Sequence, residues 1–544
     1  MDVGRIVMHA TLALGTGVLI TLAACGSSDD SGGAGAPGGA GGFGGGFSDA
    51  GVGTGGGIAL DAGVADAAPP PPEKELESSF RAPVTTSRYV WSTNPDSGRV
   101  ALIDATSLEL SIVEAGYAPT YLAAVSDPND DTKNAAIVLN VLSHDATLLR
   151  VDGDKKITTT TLETHQGANS WSVSKDGRWA IAWTDPSKIE KPDPTDGFQD
   201  ITVLSLEGAG TSTRLTVGYR PTRLSISEDG TRAFAVTEPG ISVIELTTVP
   251  EVSKLYPVTD DPLSDPASRD VSITPDGSLA LVRRDDSADL TFVDLSTGTR
   301  SARALTGAIT DLDLSADGKL ALAVVREKSE LHLLPIPAAA TNPSAGDTLA
   351  LVGELVGSVA ISENSETAAL YTNAVQNSHV SMVDLRAGAT FLSTRTTDVK
   401  APVQAVFPSP DGSHLLVLSN APNGSTKAGA FSVVATQKNI SPKVVGTDAP
   451  PVAVAQTPAP TDRGLIAVRD DKLKKHGVYI TRMPSLQVDF IPLASPPLSV
   501  GILAKAGKGY VAQQHPEGRI TFVDLADGSA RTLTGFELGA KVVD

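Results

Sequence analysis

Residues 407–418, FPSPDGSHLLVL, place a short apolar segment, an Asp-Gly pair and a second apolar segment in a row. Glycine after aspartate takes a positive φ easily, so two short strands can fold back as a twisted hairpin. The flanking residues are aliphatic or β-branched, as in a strand buried on both faces. The same unit recurs at residues 174–177 (SKDG), 227–230 (SEDG), 274–277 (TPDG) and 315–318 (SADG). At 362–365 (SENS) the Asp-Gly pair is lost while its surroundings are kept, which reads as a degraded copy.

Successive copies lie about 41–53 residues apart, the period of four-stranded propeller blades. Between turns the grammar is constant: an inner strand, the Asp-Gly turn, a second strand, a variable loop, a third strand and a fourth. The third strand ends in an acidic or polar residue and is the clearest marker. It stands at 99–104 (RVALID), 241–246 (ISVIEL), 290–295 (LTFVDL), 380–385 (VSMVDL) and 519–525 (RITFVDL), with weaker copies at 147–152, 201–206, 331–336, 430–434 and 477–482. The fold expected is therefore all-β, a β-propeller of four-stranded blades with about ten repeat units. Seven or eight blades with extra strands, or two smaller rings, fit the same spacing. The array starts on what reads as a second strand, 88–92. Residues 540–543 are then expected to return as the missing inner strand and close the ring, with 81–85 as the alternative.

Composition narrows the function classes. A chain of 544 residues is too long for one ordinary core and needs several domains or a repeat architecture. With 43 basic against 63 acidic residues, the formal charge is −20, and no basic footprint for nucleic acid is present. Aromatic residues are 4% of the chain, which argues against stacking platforms for bases or sugars. The single cysteine excludes an internal disulfide.

The N-terminus carries Arg5, an apolar stretch over 6–22, and then Leu22-Ala23-Ala24-Cys25. Residues 1–25 resemble a bacterial lipoprotein signal with its lipobox. The resemblance implies cleavage before Cys25, acylation of that residue and attachment to a membrane of the cell envelope. Gly26 stands where enterobacterial sorting would read an aspartate as an inner-membrane signal, so the resemblance points to the outer membrane. Residues 26–79 are rich in Gly, Ala, Ser and Pro. Such a segment cannot bury enough apolar surface to offset its ordering entropy and is read as a flexible tether. As a coil it spans on the order of 35–40 Å. The propeller is assigned to residues 80–544.

Residues 89–104 (YVWSTNPDSGRVALID), followed by Gly116-Tyr117-Ala118-Pro119, resemble the YVTN-type β-propeller repeat family. Residues 217–221 (VGYRP) repeat the glycine-to-proline element, and the Ser-Pro-Asp-Gly turns are similar to those of WD-repeat and TolB-like propellers. The literal YVTN run and the WD dipeptide are absent. This resemblance implies binding modules and, as the competing class, lactonase-like hydrolases with a site at the mouth of the central channel.

Two regions are candidates for function. The long loops 185–200, 259–270, 420–429 and 470–477 all fall on one rim, where a rigid scaffold usually presents binding residues. Aligned on the turn, Ser170, Arg223, Asp270, Asp311 and Ser358 occupy equivalent positions near the channel mouth. Small residues (Ser172, Ser225, Ser272, Ala360) follow them. An arginine and two acids there can hold a polar ligand, or they can pair between neighbouring inner strands. No catalytic constellation is recognised: the eight histidines lack metal-ligand spacing, and there is no nucleophile elbow or P-loop. The oxygen-rich stretches 127–134 and 193–200 lack EF-hand spacing and read as solvated turns. No metal or cofactor is expected. The reading favours an anchored binding or scaffolding module for an envelope protein or polymer over an enzyme.

Overall fold

Each sheet of the molecule is made of four consecutive strands, antiparallel and in sequence order, and there are ten such sheets. The computed structural model describes residues 82–127, 130–152, 156–261, 266–386, 394–437 and 439–536. The predicted signal with Cys25, the tether and residues 540–543 lie outside these. Blades 1 to 10 span residues 84–114, 119–163, 170–216, 223–256, 269–304, 311–350, 358–398, 403–447, 451–492 and 497–534. The protein is a ten-bladed β-propeller. Among the described residues, no helix is long and apolar enough to cross a membrane.

The repeated turn is a self-contained hydrogen-bond unit. In blade 8, Ser409 Oγ donates to Asp411 Oδ1 at 2.8 Å, and the Ser413 amide donates to the same oxygen at 3.0 Å. The amide of His414 donates to Ser409 Oγ at 3.0 Å, which closes the loop. Gly412 supplies the left-handed residue at φ 66°. The other Asp-Gly copies share this pattern, for example Ser315 with Asp317 and Leu320. The turn at 362–365 is not degraded. Asn364 Oδ1 accepts from Ser362 Oγ at 2.7 Å and from the Glu366 amide at 3.1 Å, and Ser365 adopts φ 60° in place of glycine. Asparagine offers the same acceptor as aspartate at that distance from the backbone, so the geometry survives.

Packing between blades is apolar and continuous. Second and third strands are almost wholly buried, and their side chains alternate between the two neighbouring blades. Phe234, Phe292 and Phe431 are among the largest fully buried side chains. The first and last blades meet in the same way: Val90, Ala101 and Ile103 pack on Leu503, Tyr510 and Phe522. Residues 84–86 form the inner strand of blade 1, pairing with Tyr89–Trp91. The array therefore starts on an inner strand, and the alternative reading of its entry is the correct one. Each blade is completed by consecutive chain, and the ring closes by face-to-face packing of blades 1 and 10.

Candidate functional site

The five channel-mouth residues are structurally equivalent. Ser170, Arg223, Asp270, Asp311 and Ser358 each stand opposite the residue thirteen places later, namely Trp183, Val236, Arg283, Val324 and Tyr371. Each inner strand bonds its second strand along one edge and turns alternate backbone groups of the other edge toward the channel. Such groups need partners.

Side chains of a neighbouring blade supply them. Arg223 Nη1 donates to the Val271 carbonyl at 3.3 Å, and Ser172 Oγ to the Leu224 carbonyl at 2.8 Å. Trp171 Nε1 donates to the Tyr121 carbonyl at 2.9 Å. Asp311 Oδ2 accepts from the Val359 amide at 2.8 Å, and Asp313 Oδ2 from the Ile361 amide at 2.9 Å. The polar lining of the channel wall is thus largely engaged in stapling consecutive inner strands.

The carboxylates of blade 6 are the most perturbed groups in this wall. Burial pushes Asp313 up to about 7, helped by the charge of Asp311 and opposed by the Ile361 and Leu314 amides. Burial also raises Asp311. The Val359 amide and Arg283 work against that shift, and Asp270 adds to it. Arg283 is itself buried, donating to Asp285 at 3.1 Å and to the Ile309 carbonyl at 3.2 Å. Tyr371 is driven upward by burial and by the two carboxylates. The structure therefore brings Asp270, Asp311, Asp313 and Arg283 into one electrostatic neighbourhood on blades 5 and 6.

Ser170 belongs to a different setting. The long loop after the second strand of blade 3 turns through Pro186–Lys188, and Asp185 caps this turn by accepting from the Ser187 amide. Lys188 Nζ then donates to Ser170 Oγ at 2.7 Å and lies 5.7 Å from the centre of the Tyr121 ring. Burial lowers the Lys188 ammonium, and Asp185 opposes the shift. Of Ser358 the structure gives its place opposite Tyr371 and the capped amide of its neighbour Val359.

Asp313, Arg283 and Lys188 were missed by sequence reasoning. Asp313 carried a signal: it stands where blades 3, 4, 5 and 7 place the small residues Ser172, Ser225, Ser272 and Ala360. The histidines fall into distinct environments. His165 is buried between the hydroxyls of Thr202 and Thr184, and His332 between those of Thr306 and Thr348. Among the described residues no group of three or more potential ligands is arranged to hold a metal ion. In the stretch 193–200, Asp193 Oδ1 accepts from the Thr195 amide at 2.7 Å and closes a turn, while Arg220 Nη2 holds the Asp193 carbonyl at 2.8 Å.

The rim carrying the second-to-third and fourth-to-inner connections is the loop face. It holds all four long loops, and it also carries exposed apolar side chains. Tyr117, Leu142, Val352, Leu355, Val375 and Leu473 project from it, whereas Val249 and Ile440 do so from the opposite rim. Val352 is 92% exposed. Leu355 and Val375 belong to neighbouring loops joined by a bond from Asn377 Nδ2 to the Leu355 carbonyl at 3.3 Å.

No protein-family model and no curated protein matches this chain. Solved structures do match in fold. A crystal structure of the eukaryotic initiation factor is 13% identical, covers 76% of this chain and 96% of its own, and has a TM-score of 0.50. The dihydro-heme d1 dehydrogenase NirN in complex with DHE is 13% identical over 80% of each chain, with a TM-score of 0.40. The β-propeller domain of Myceliophteria thermophila Cps50 (Swd1) is 15% identical, covers 55% of this chain and 96% of its own, and has a TM-score of 0.32. At these identities the likeness concerns the fold alone.

Proposed function

We propose that this propeller is a lipid-anchored binding and scaffolding module of the cell envelope. Cys25 carries the lipid, residues 26–79 space the ring from the membrane, and the loop face engages an envelope protein or polymer. The outer membrane is the expected site. One observation carries the binding reading: large apolar side chains concentrate on the loop face. Exposed apolar tips on a rigid rim leave water on association and supply the contacts that decide affinity. The channel wall is less available for a partner, because many of its polar groups already staple neighbouring strands.

The test is crosslinking in intact cells followed by mass spectrometry, with the wild-type chain and a Val352→Asp/Val375→Asp variant. A reproducible partner crosslinked to the loop face and lost in the variant supports the proposal. Crosslinks that map elsewhere, or the absence of any reproducible partner, count against it. The lactonase-like reading requires acids, bases or metal ligands free to act at the channel mouth, and two of the carboxylates there, Asp311 and Asp313, already accept from the Val359 and Ile361 amides.

A further inference from the structure

Asparagine is followed by glycine once in this chain, at Asn423-Gly424, and by serine at Asn169, Asn364 and Asn377. A small following residue leaves the next backbone amide open to the asparagine side chain, whose carboxamide is one of the less durable groups in a protein. Which of the four can bring its Cγ onto that amide depends on what already holds the side chain. Asn169 is buried, with Oδ1 accepting from the Asp185 amide at 2.7 Å and Nδ2 donating to the Asp185 carbonyl at 3.0 Å. Asn364 is fixed in its turn by Ser362, Glu366 and the Asp411 carbonyl. Asn377 accepts from the His379 amide at 3.1 Å and donates to the Leu355 carbonyl at 3.3 Å.

Asn423 is held by far less. It is exposed in the loop between the second and third strands of blade 8, His414–Asn420 and Gly429–Ala435. Its side chain makes one bond among the described residues, from Nδ2 to Gln376 Oε1 of the blade 7 loop at 3.3 Å. The Gly424 amide makes none, and a Cβ built on Gly424 would meet nothing within 4 Å. The turn around them is closed by a single bond, from the Ser425 amide to the Pro422 carbonyl at 3.0 Å, with Gly424 at φ 78°. Local opening of such a loop costs little, so the peptide can rotate into the geometry for ring closure.

We propose that Asn423 is a site of spontaneous covalent modification, converted through a cyclic imide to aspartate or isoaspartate. The Gly424 nitrogen gives its proton to solvent base and attacks Asn423 Cγ, forming a C–N bond. The bond from Cγ to the side-chain nitrogen then breaks, and ammonia leaves with a proton from water. A second water adds to one of the two imide carbonyls. Opening at the side-chain carbonyl gives aspartate, and opening at the main-chain carbonyl gives isoaspartate. The net change is one water consumed and one ammonia released, with no oxidant or reductant. The product adds a negative charge to a chain whose formal charge is already −20, and the bond to Gln376 loses its donor. That bond links the loop of blade 8 to the blade 7 loop that carries Val375, so the modification alters the loop face. The chemistry itself stands whether or not a partner binds there.

The experiment is timed incubation of the folded full chain in detergent, in mildly alkaline and mildly acidic buffer, followed by peptide mapping with mass spectrometry and enzymatic methylation of isoaspartate. The peptide containing Asn423 is expected to gain the mass difference between hydroxyl and amine, faster in the alkaline buffer. Conversion there should run about tenfold faster than at Asn169, Asn364 or Asn377. Gly424→Ala should slow it about tenfold, because a β-carbon hinders the attack. Asn423→Gln should abolish the isoaspartate signal from this peptide, since its ring would need one more atom. The proposal is overturned if Asn423 keeps its amide, if it converts no faster than the other three asparagines, or if Gly424→Ala converts as fast as the parent.

Discussion

The carboxylate of Asp313 in blade 6 accepts the backbone amide of Ile361 in blade 7 at 2.9 Å, so an ionisable side chain closes a backbone vacancy of the neighbouring blade. Its other oxygen accepts from Leu314 at 2.9 Å. Two residues earlier, Asp311 does the same for Val359 and Leu312. The two acids form a paired clamp across one blade interface, and burying them together has an electrostatic cost.

That cost has a defined pH window. The folded Asp313 carboxyl titrates near 7, above the unfolded value of about 3.9. Its contribution to stability is fully present below about pH 4 and is lost as pH rises through 7. Asp313→Asn removes the charge and keeps one acceptor. The stability it loses between pH 4.5 and 7.5 should therefore be smaller than in the parent, by roughly 2–4 kcal/mol. Urea titrations of both proteins at several pH values check this, and an unchanged slope would show that Asp313 is not the titrating group.

His165 should act in the opposite direction. Burial holds its imidazole at about 4, with Asp200 opposing the shift and Arg214 adding to it. Its folded value lies below the unfolded value of about 6.5, so stability is fully present above 6.5 and is lost as pH falls through 4. The expected loss is on the order of 3 kcal/mol. His165→Gln should remove this acid-side loss, leaving stability to rise more steeply toward low pH than in the parent. Because the His165 and Asp313 windows overlap with opposite signs, the parent curve between pH 4.5 and 6.5 should be flatter than that of either variant.

Ser365 occupies φ 60°, where the equivalent turns have glycine at 66–69°. A side chain there costs about 1–2 kcal/mol, and glycine avoids that strain but loses more entropy on folding. Ser365→Gly should therefore stabilise the protein by about 0.5–1 kcal/mol. A decrease in Tm would mean that the Ser365 side chain makes a compensating contact.

The anchor makes the clearest cellular prediction. Cys25→Ala removes the only thiol in the chain. The variant should move from the membrane to the soluble fraction in cell fractionation and lose metabolic labelling with an alkyne fatty acid. Unchanged fractionation would end the lipoprotein reading.

Much of the fold was legible because its signals are local. Ser409, Asp411 and His414 close a turn within five residues, so their spacing alone predicts a hairpin, and regular recurrence predicts an array. The turn at Asn364 lacks the Asp-Gly signature in sequence, whereas its geometry needs only a side-chain acceptor and a left-handed residue, which Asn364 and Ser365 supply. The candidate site was legible in position and not in role. Ser170, Arg223, Asp270, Asp311 and Ser358 do occupy one register, but their partners cannot be read from it.

The sequence by itself determined the blade, its repeat and the loop-rich rim, since each depends on hydrogen bonds and side-chain alternation within one strand pair. Tertiary structure alone decided how residues 48 apart meet, as Asp313 and Ile361 do. It also decided that residues 84–86 complete blade 1. The physical reason is common to both. Whether a polar side chain is free or engaged depends on which backbone groups the next blade turns toward it, and that is set by how whole sheets pack around the axis.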